Sequence, residues 1–266
     1  MLNAKKLLKS LLKILSISIN FELRFYGKHS ESLKKYNTST GVYFLPKFAF
    51  SDIIAKQIKK NKIYDEEIYL EAKKLIKSES IVIDIGSNFG QLSILFSKLY
   101  NNIEVHSFEA SKFIFNILKK NIEINKANVI PYNIALTDNI NEKIYEPIIK
   151  FKDCSTYGAY PLINSKNNLN TKDRIISDKL DNMSFKKKIS FIKIDTQGMD
   201  LKVMKGAKKI IIQNQCPVIF EYEENLEKKH GHTFQDVVNF VKEINYSFYK
   251  IIYNINYLIV PNSYKF

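Results

Sequence analysis

The sequence predicts an α/β protein built on a doubly wound, mostly parallel sheet with one antiparallel C-terminal member. Three observations predict it. From Ile81 onward, short apolar runs alternate with helical patterns. The first run, IVIDIG, ends in a glycine-rich bend. The last two runs, SFYKIIY and NYLIVP, follow each other too closely for a crossover helix and read as a hairpin.

Each element follows from its own pattern. Gly41–Pro46 reads as a short extended segment, and 51–77 as one helix capped by Ser51. Residues 81–86 form the first fully apolar strand, and 90–100 the helix behind it. Residues 103–108 are the second strand, and 111–125 a helix capped by Ser111. Residues 128–136 are a third strand, broken or bent at Pro131. RIISDKL (174–180) reads as a short strand and ISFIKID (189–195) as a buried one. A helix over 199–213, a strand over 217–222 and a Thr233-capped helix over 233–244 come next. The closing hairpin turns near Asn254. Residues 1–77 are therefore expected to be an N-terminal helical accessory region, with the main domain over 78–266. Within it, 139–188 lack periodicity and are expected to be an insertion acting as a substrate lid.

Composition narrows the function classes. The chain has 266 residues and two cysteines, Cys154 and Cys216, too few for a disulfide framework or a Cys-based zinc site. A cytoplasmic location is expected. The net charge of +14 points to an anionic partner, with evenly spread surface lysines as the plainer alternative. Residues 1–35 carry eight basic and two acidic side chains. Leu7, Leu8, Leu11, Leu12 and Leu15 share one helical face, with Lys5, Lys6, Lys9 and Lys13 mainly opposite. That helix either packs on the domain or lies on an anionic membrane surface, peripheral to its inner face; its lysines exclude a spanning segment.

In open sheets of this class, ligands bind beyond the carboxyl ends of the strands. The first strand there ends in Asp84, Gly86, Ser87, Asn88 and Gly90. Glycine permits a sharp turn and close ligand approach, and the next helix starts with free N–H groups. An ordinary strand-to-helix turn is the alternative for this bend taken alone. It is neither G-x-G-x-x-G nor a phosphate loop. Glu109 ends the second strand at the ~20-residue distance expected of an acid that binds ribose hydroxyls. Asp84 would repel a diphosphate and suits a ligand with cationic groups.

Asp84–Gly90, Phe108-Glu109-Ala110, Ala135-Leu136-Thr137-Asp138, Lys193–Gly198 and Val203–Ala207 together resemble the FkbM family of methyltransferases over roughly residues 78–260. That resemblance implies a seven-stranded, Rossmann-like methyltransferase sheet, S-adenosylmethionine as cofactor and transfer of a methyl group, usually to a hydroxyl oxygen. It places Asp84, Gly86, Ser87, Asn88 and Gly90 along the methionine part of the cofactor. Glu109 and Ala110 then lie by the ribose, and Ala135, Leu136 and Asp138 near the adenine. The family usually has Glu where this chain has Gln197.

A hydroxyl acceptor must lose its proton, so a base or a metal is expected nearby. Asp195, ending the fourth main strand, is the candidate base. Asp195, Asp200 and Glu221, with Glu223, are weaker candidates for a divalent metal site. His230 and His232 read as a loop pair, and Tyr157 and Tyr160 as residues that stack on a sugar or pack in the lid. The leading expectation is O-methylation of a sugar hydroxyl on a glycan, glycolipid or related metabolite, as in polysaccharide biosynthesis. RNA methylation is the alternative suggested by charge, disfavoured by the absence of an Asn/Asp-Pro-Pro-aromatic motif. A catalytically degenerate, cofactor-binding scaffold is the other.

Overall fold

Ile81–Ile85 and Ile189–Ile194 are buried along their whole length and form the centre of a seven-stranded sheet. The computed structural model describes residues 32–47, 49, 52–147, 157, 162, 171–253 and 255–265. The basic segment over 2–19, Ser51, Cys154, Tyr160, Asn254 and the parts of the expected lid over 148–156, 158–161 and 163–170 lie outside the described residues. In chain order the strands are β1 (Leu33–Thr38), β2 (Gly41–Pro46), β3 (Ile81–Ile85), β4 (Glu104–Phe108), β5 (Val129–Tyr132), β6 (Ala135–Leu136), β7 (Ile144–Pro147), β8 (Thr171–Ile175), β9 (Ser177–Asp178), β10 (Ile189–Ile194), β11 (Val218–Glu221), β12 (Tyr246–Ile252) and β13 (Asn256–Pro261). The main sheet has the order β12-β13-β11-β10-β3-β4-β5. Only β13 runs against its neighbours.

Period-two alternation divides the core between the two faces. Ile81, Ile83 and Ile85 pack with Ile192, Ile194 and Phe220 on one side. Val82 packs with Val105, Phe191 and Ile219 on the other. The helices are α1 (Ile53–Lys59), α2 (Glu66–Leu75), α3 (Gln91–Phe96), α4 (Lys112–Ile124), α5 (Asp200–Gly206), α6 (Lys208–Asn214), α7 (Glu224–Glu227) and α8 (Phe234–Glu243). Strand order reverses between β3 and β10, and that is where open α/β sheets leave a ligand crevice.

Several boundaries differ from the sequence reading. The single helix expected over 51–77 is two, α1 and α2. Asp52 caps α1, its Oδ1 accepting from Ala55 N at 2.7 Å. Asn61 and Asp65 take left-handed backbone angles between the helices, which Asn and Asp tolerate. The helix expected over 199–213 breaks at Ala207, whose φ of −111° leaves the helical range. Pro131 does not break its strand, because β5 is an edge and needs no donor there. The segment 174–180 splits between β8, antiparallel to β7, and β9, parallel to β6. Ser111 stands at the start of α4, but its side chain makes no capping hydrogen bond.

The accessory region is not all helical. β1 and β2 pair antiparallel, and the free edge of β2 is held by two amides on one face of α4. Asn121 accepts from Phe44 N (2.6 Å) and donates to Phe44 O and Phe89 O. Asn125 accepts from Val42 N (3.0 Å) and donates to Val42 O (2.6 Å). Two side-chain amides thus stand in for a neighbouring strand. Among the described residues no helix is long and apolar enough to cross a membrane. Cys216 is a buried free thiol.

Candidate active site

The bend after β3 is forced by close approach. Gly86 has φ +74°, and a Cβ there would lie 1.7 Å from the Asp195 carbonyl oxygen on the adjacent strand. Gly86 N and Ser87 N both donate to Phe108 O, at 3.0 and 3.1 Å, tying the bend to the end of β4. Asn88, with φ +50°, completes the turn into α3. Beside it lies a cleft that opens to solvent.

Glu109 bridges the bend and the next helix. Its Oε2 accepts from Asn88 N at 3.0 Å and its Oε1 from Ser111 N at 2.9 Å. Two backbone donors fix the carboxylate in place. Glu109 lines the cleft.

The Asp84 side chain borders the cleft but is completely buried. Asp84 Oδ2 accepts from Ser93 Oγ, which accepts in turn from Ser107 Oγ at 2.7 Å. Asp84 Oδ1 lies 3.6 Å from Lys193 Nζ and makes no hydrogen bond. Lys193 sits directly opposite Asp84 in the β10–β3 register. Lys193 thus compensates the charge of Asp84 within the protein.

Lys193 links the strand ends. Its ammonium donates to Gly86 O (3.1 Å) and Asp195 Oδ2 (3.4 Å). Burial works against its charge, but Asp195, Asp84 and Asp65 outweigh that and hold it above the ordinary lysine range.

Asp195 is partly exposed on the cleft wall. The Gln197 amide donates to Asp195 Oδ1 and to Glu221 Oε2, both at 3.0 Å. Burial, then Asp195 and Asp200, pushes the Glu221 carboxyl well up, so it holds a proton beside Asp195. Asp200 is almost fully buried and points inward. Its carboxyl accepts from Thr196 Oγ1 (2.9 Å) and from Glu221 N (3.3 Å). Burial, with Asp195 and Glu227 nearby, raises it to about 8. The Gln197 amide joins Asp195 to Glu221, and Lys193 pairs with Asp195 from the side of Asp84. Among the described residues no three His, Cys, Asp or Glu side chains converge in a way that could hold a metal ion.

Of the predicted residues, the cleft wall brings together Asp84, Gly86, Ser87, Asn88, Glu109, Ala110, Ala135, Leu136 and Asp195. Gly90, Asp138, Asp200 and Glu221 are not on it. Gly90 is a left-handed helix start packed on Leu118, and Asp138 is held by Thr137 and Asn139. Tyr157 is buried against Phe89 and Phe113 instead of standing in the cleft. His232 pairs with Glu227 at 2.9 Å, and neither His230 nor His232 lines the cleft.

Tyr64, Asp65 and Lys193 also line the cleft and were missed by sequence reasoning as site residues. Lys193 carried a signal, a lysine inside an otherwise apolar central strand. Tyr64 and Asp65 carried none, since they belong to the break between α1 and α2. Gln91 pins that break to α3, accepting from Tyr64 N (2.9 Å) and donating to Lys62 O (2.9 Å) and Thr40 Oγ1 (3.2 Å).

Comparison with known proteins adds the following. The sequence model described as the methyltransferase FkbM domain matches residues 84–248. No curated protein sequence matches the chain. Among solved structures, it is similar to methyltransferase FkbM from Methylobacillus flagellatus KT, with 14% identity, TM-score 0.46, and coverage of 72% of this chain and 46% of that one. It is also similar to precorrin-6y C5,15-methyltransferase from Geobacter metallireducens GS-15, at 14% identity and TM-score 0.44 over 74% and 88% of the two chains. A third is the tRNA (uracil-54, C5)-methyltransferase of Pyrococcus abyssi in complex with S-adenosyl-L-homocysteine, at 12% identity and TM-score 0.44 over 86% and 43%. The chain thus spans under half the length of the first and third of these. With the family match covering more than half of its residues, the chain belongs to the FkbM methyltransferase domain family.

Proposed function

We propose that the protein uses S-adenosylmethionine to methylate a sugar hydroxyl on a glycan, glycolipid or related metabolite. The observation that carries the cofactor reading is Glu109, held by two backbone donors beside the glycine bend at the β3–β10 switch. The cleft opens to solvent, so a ligand can enter it beside the bend. Ile134, Leu136 and Phe108 supply apolar wall, and Glu109 supplies acceptors for the ribose hydroxyls.

When bound, the cofactor supplies the methyl group as a sulfonium electrophile. The residues of this chain bind, orient and exclude water. Asp195 is the group that accepts the hydroxyl proton, and Lys193 and Gln197 hold its two oxygens in place. The protonated Glu221 keeps Asp195 from acting as one of two adjacent anions. Asp65, Asp84 and Asp195 outnumber Lys193 at this end of the cleft despite the net charge of +14, which disfavours a polyanionic RNA at the reacting end. The basic N-terminal segment fits an anionic membrane surface, which liposome flotation with and without residues 1–35 tests.

Titration calorimetry tests the cofactor reading. We expect a micromolar Kd, about −8 kcal/mol, and loss of binding in Glu109→Ala. Unchanged affinity in that variant would refute the site. Labelled methyl transfer to envelope glycan fractions, compared with RNA, tests the acceptor class.

A further inference from the structure

We infer that Asp65, from the connection between α1 and α2, recognises the ammonium group at the amino-acid end of the cofactor. This rests on the proposed cofactor and extends its site to a residue outside the matched span of 84–248.

Four observations carry it. Asp65 lines the same cleft as Gly86, Lys193 and Asp195. It stands at the start of α2, where an Asp side chain ordinarily accepts from the first turn. Here it does not: the residue is left-handed (φ 55°, ψ 47°) and its side chain makes no capping bond. The carboxylate forms no hydrogen bond or ion pair among the described residues, whereas those of Asp84, Glu109 and Asp195 are all engaged. Its place is set by backbone contacts instead: Tyr69 N donates to Asp65 O at 3.1 Å, and Gln91 holds the preceding Tyr64 N.

The surroundings say what kind of ligand it awaits. Asp195 and Lys193 face it from the end of β10, Glu67 lies on its own helix, and Tyr64 precedes it. Lys193 is already shared between Asp84 and Asp195. Burial, and then Asp195, raises the Asp65 carboxyl to about 7, with Lys193 opposing and Glu67 adding slightly. An incoming cation would draw it back to the ionised form. S-adenosylmethionine brings two cationic groups, and the ammonium is the one able to donate hydrogen bonds to a carboxylate.

Calorimetry on the full chain and Asp65→Asn, with three ligands, tests this. S-adenosylmethionine and S-adenosylhomocysteine both carry the ammonium, and 5′-methylthioadenosine lacks it. We expect the variant to weaken the first two by about tenfold or more and to leave the third unchanged, with a melting temperature no lower than that of wild type. Asp65→Ala should repeat the pattern. Equal affinity of variant and wild type for S-adenosylmethionine overturns the inference. So does an equal loss for 5′-methylthioadenosine, which marks a structural role, or a loss for S-adenosylmethionine alone, which marks sulfonium recognition. Wild-type protein that binds none of the three overturns the cofactor reading, and the inference with it.

Discussion

Lys193 and Asp84 are direct cross-strand neighbours, both almost wholly buried, with 3.6 Å between ammonium and carboxylate. Removing one partner leaves the other as an uncompensated charge in the core. Lys193→Met should therefore cost ~3–5 kcal/mol of stability, read as a shift in urea midpoint. Lys193→Met with Asp84→Asn together should cost less than Lys193→Met alone. A single variant as stable as wild type would show that the pair is not coupled.

Gln197 donates to two carboxyls at 3.0 Å, so its amide cannot be exchanged for an acid without consequence. Gln197→Glu would place a third carboxyl against Asp195 and Glu221, with its own folded pKa raised by like charge. A raised acid stabilises the fold least above that folded pKa. The loss, ~1–3 kcal/mol, should thus be larger at pH 8 than at pH 5.5. Denaturation at the two pH values checks it, and an equal loss at both would contradict the assignment.

Asp200 sets a pH dependence of its own. Burial, with Asp195 and Glu227, holds its folded carboxyl at about 8, above the unfolded value near 4. The folded state then binds more protons than the unfolded state between these limits, so stability falls as pH rises from about 4 through 8. Asp200→Asn, which keeps an oxygen for Thr196, should flatten that slope. The same slope in the variant would place its source elsewhere.

Asn121 holds the accessory hairpin to the main domain. It is fully buried, and Asn121→Ala strands Phe44 N, Phe44 O and Phe89 O without their partner. We expect ~2–3 kcal/mol of destabilisation. Limited proteolysis should show earlier cleavage within residues 32–65. Wild-type protection would mean that Asn125 and β1–β2 pairing suffice to retain the hairpin.

Much of the sheet was legible because its evidence is local. IVIDIG, IEVHSF and ISFIKID are apolar, β-branched runs that fit only buried strands, and the last two runs read as a hairpin whatever surrounds them. The Asp84–Gly90 bend and the spacing to Glu109 were legible for the same reason, since a turn and the next strand end are neighbours in sequence. The two broken helices were not. Their hydrophobic periodicity continues across Asn61, Asp65 and Ala207, whose backbone angles leave the helix; between the first two helices the chain is held by distant partners, Asn61 by Ser39 N and Tyr64 N by Gln91.

The sequence by itself therefore determined the alternating architecture, the glycine bend and an acid at the end of each site strand. Tertiary structure alone decided which acids are available to a ligand. Asp84 and Lys193 are 109 positions apart in the chain, and only the β3–β10 pairing makes them neighbours and consumes both charges. The hold of Gln91 on the connection between α1 and α2 brings Asp65 to the cleft from a segment with no motif. Charge depends on distance through space, and the pattern of a linear chain does not contain that distance.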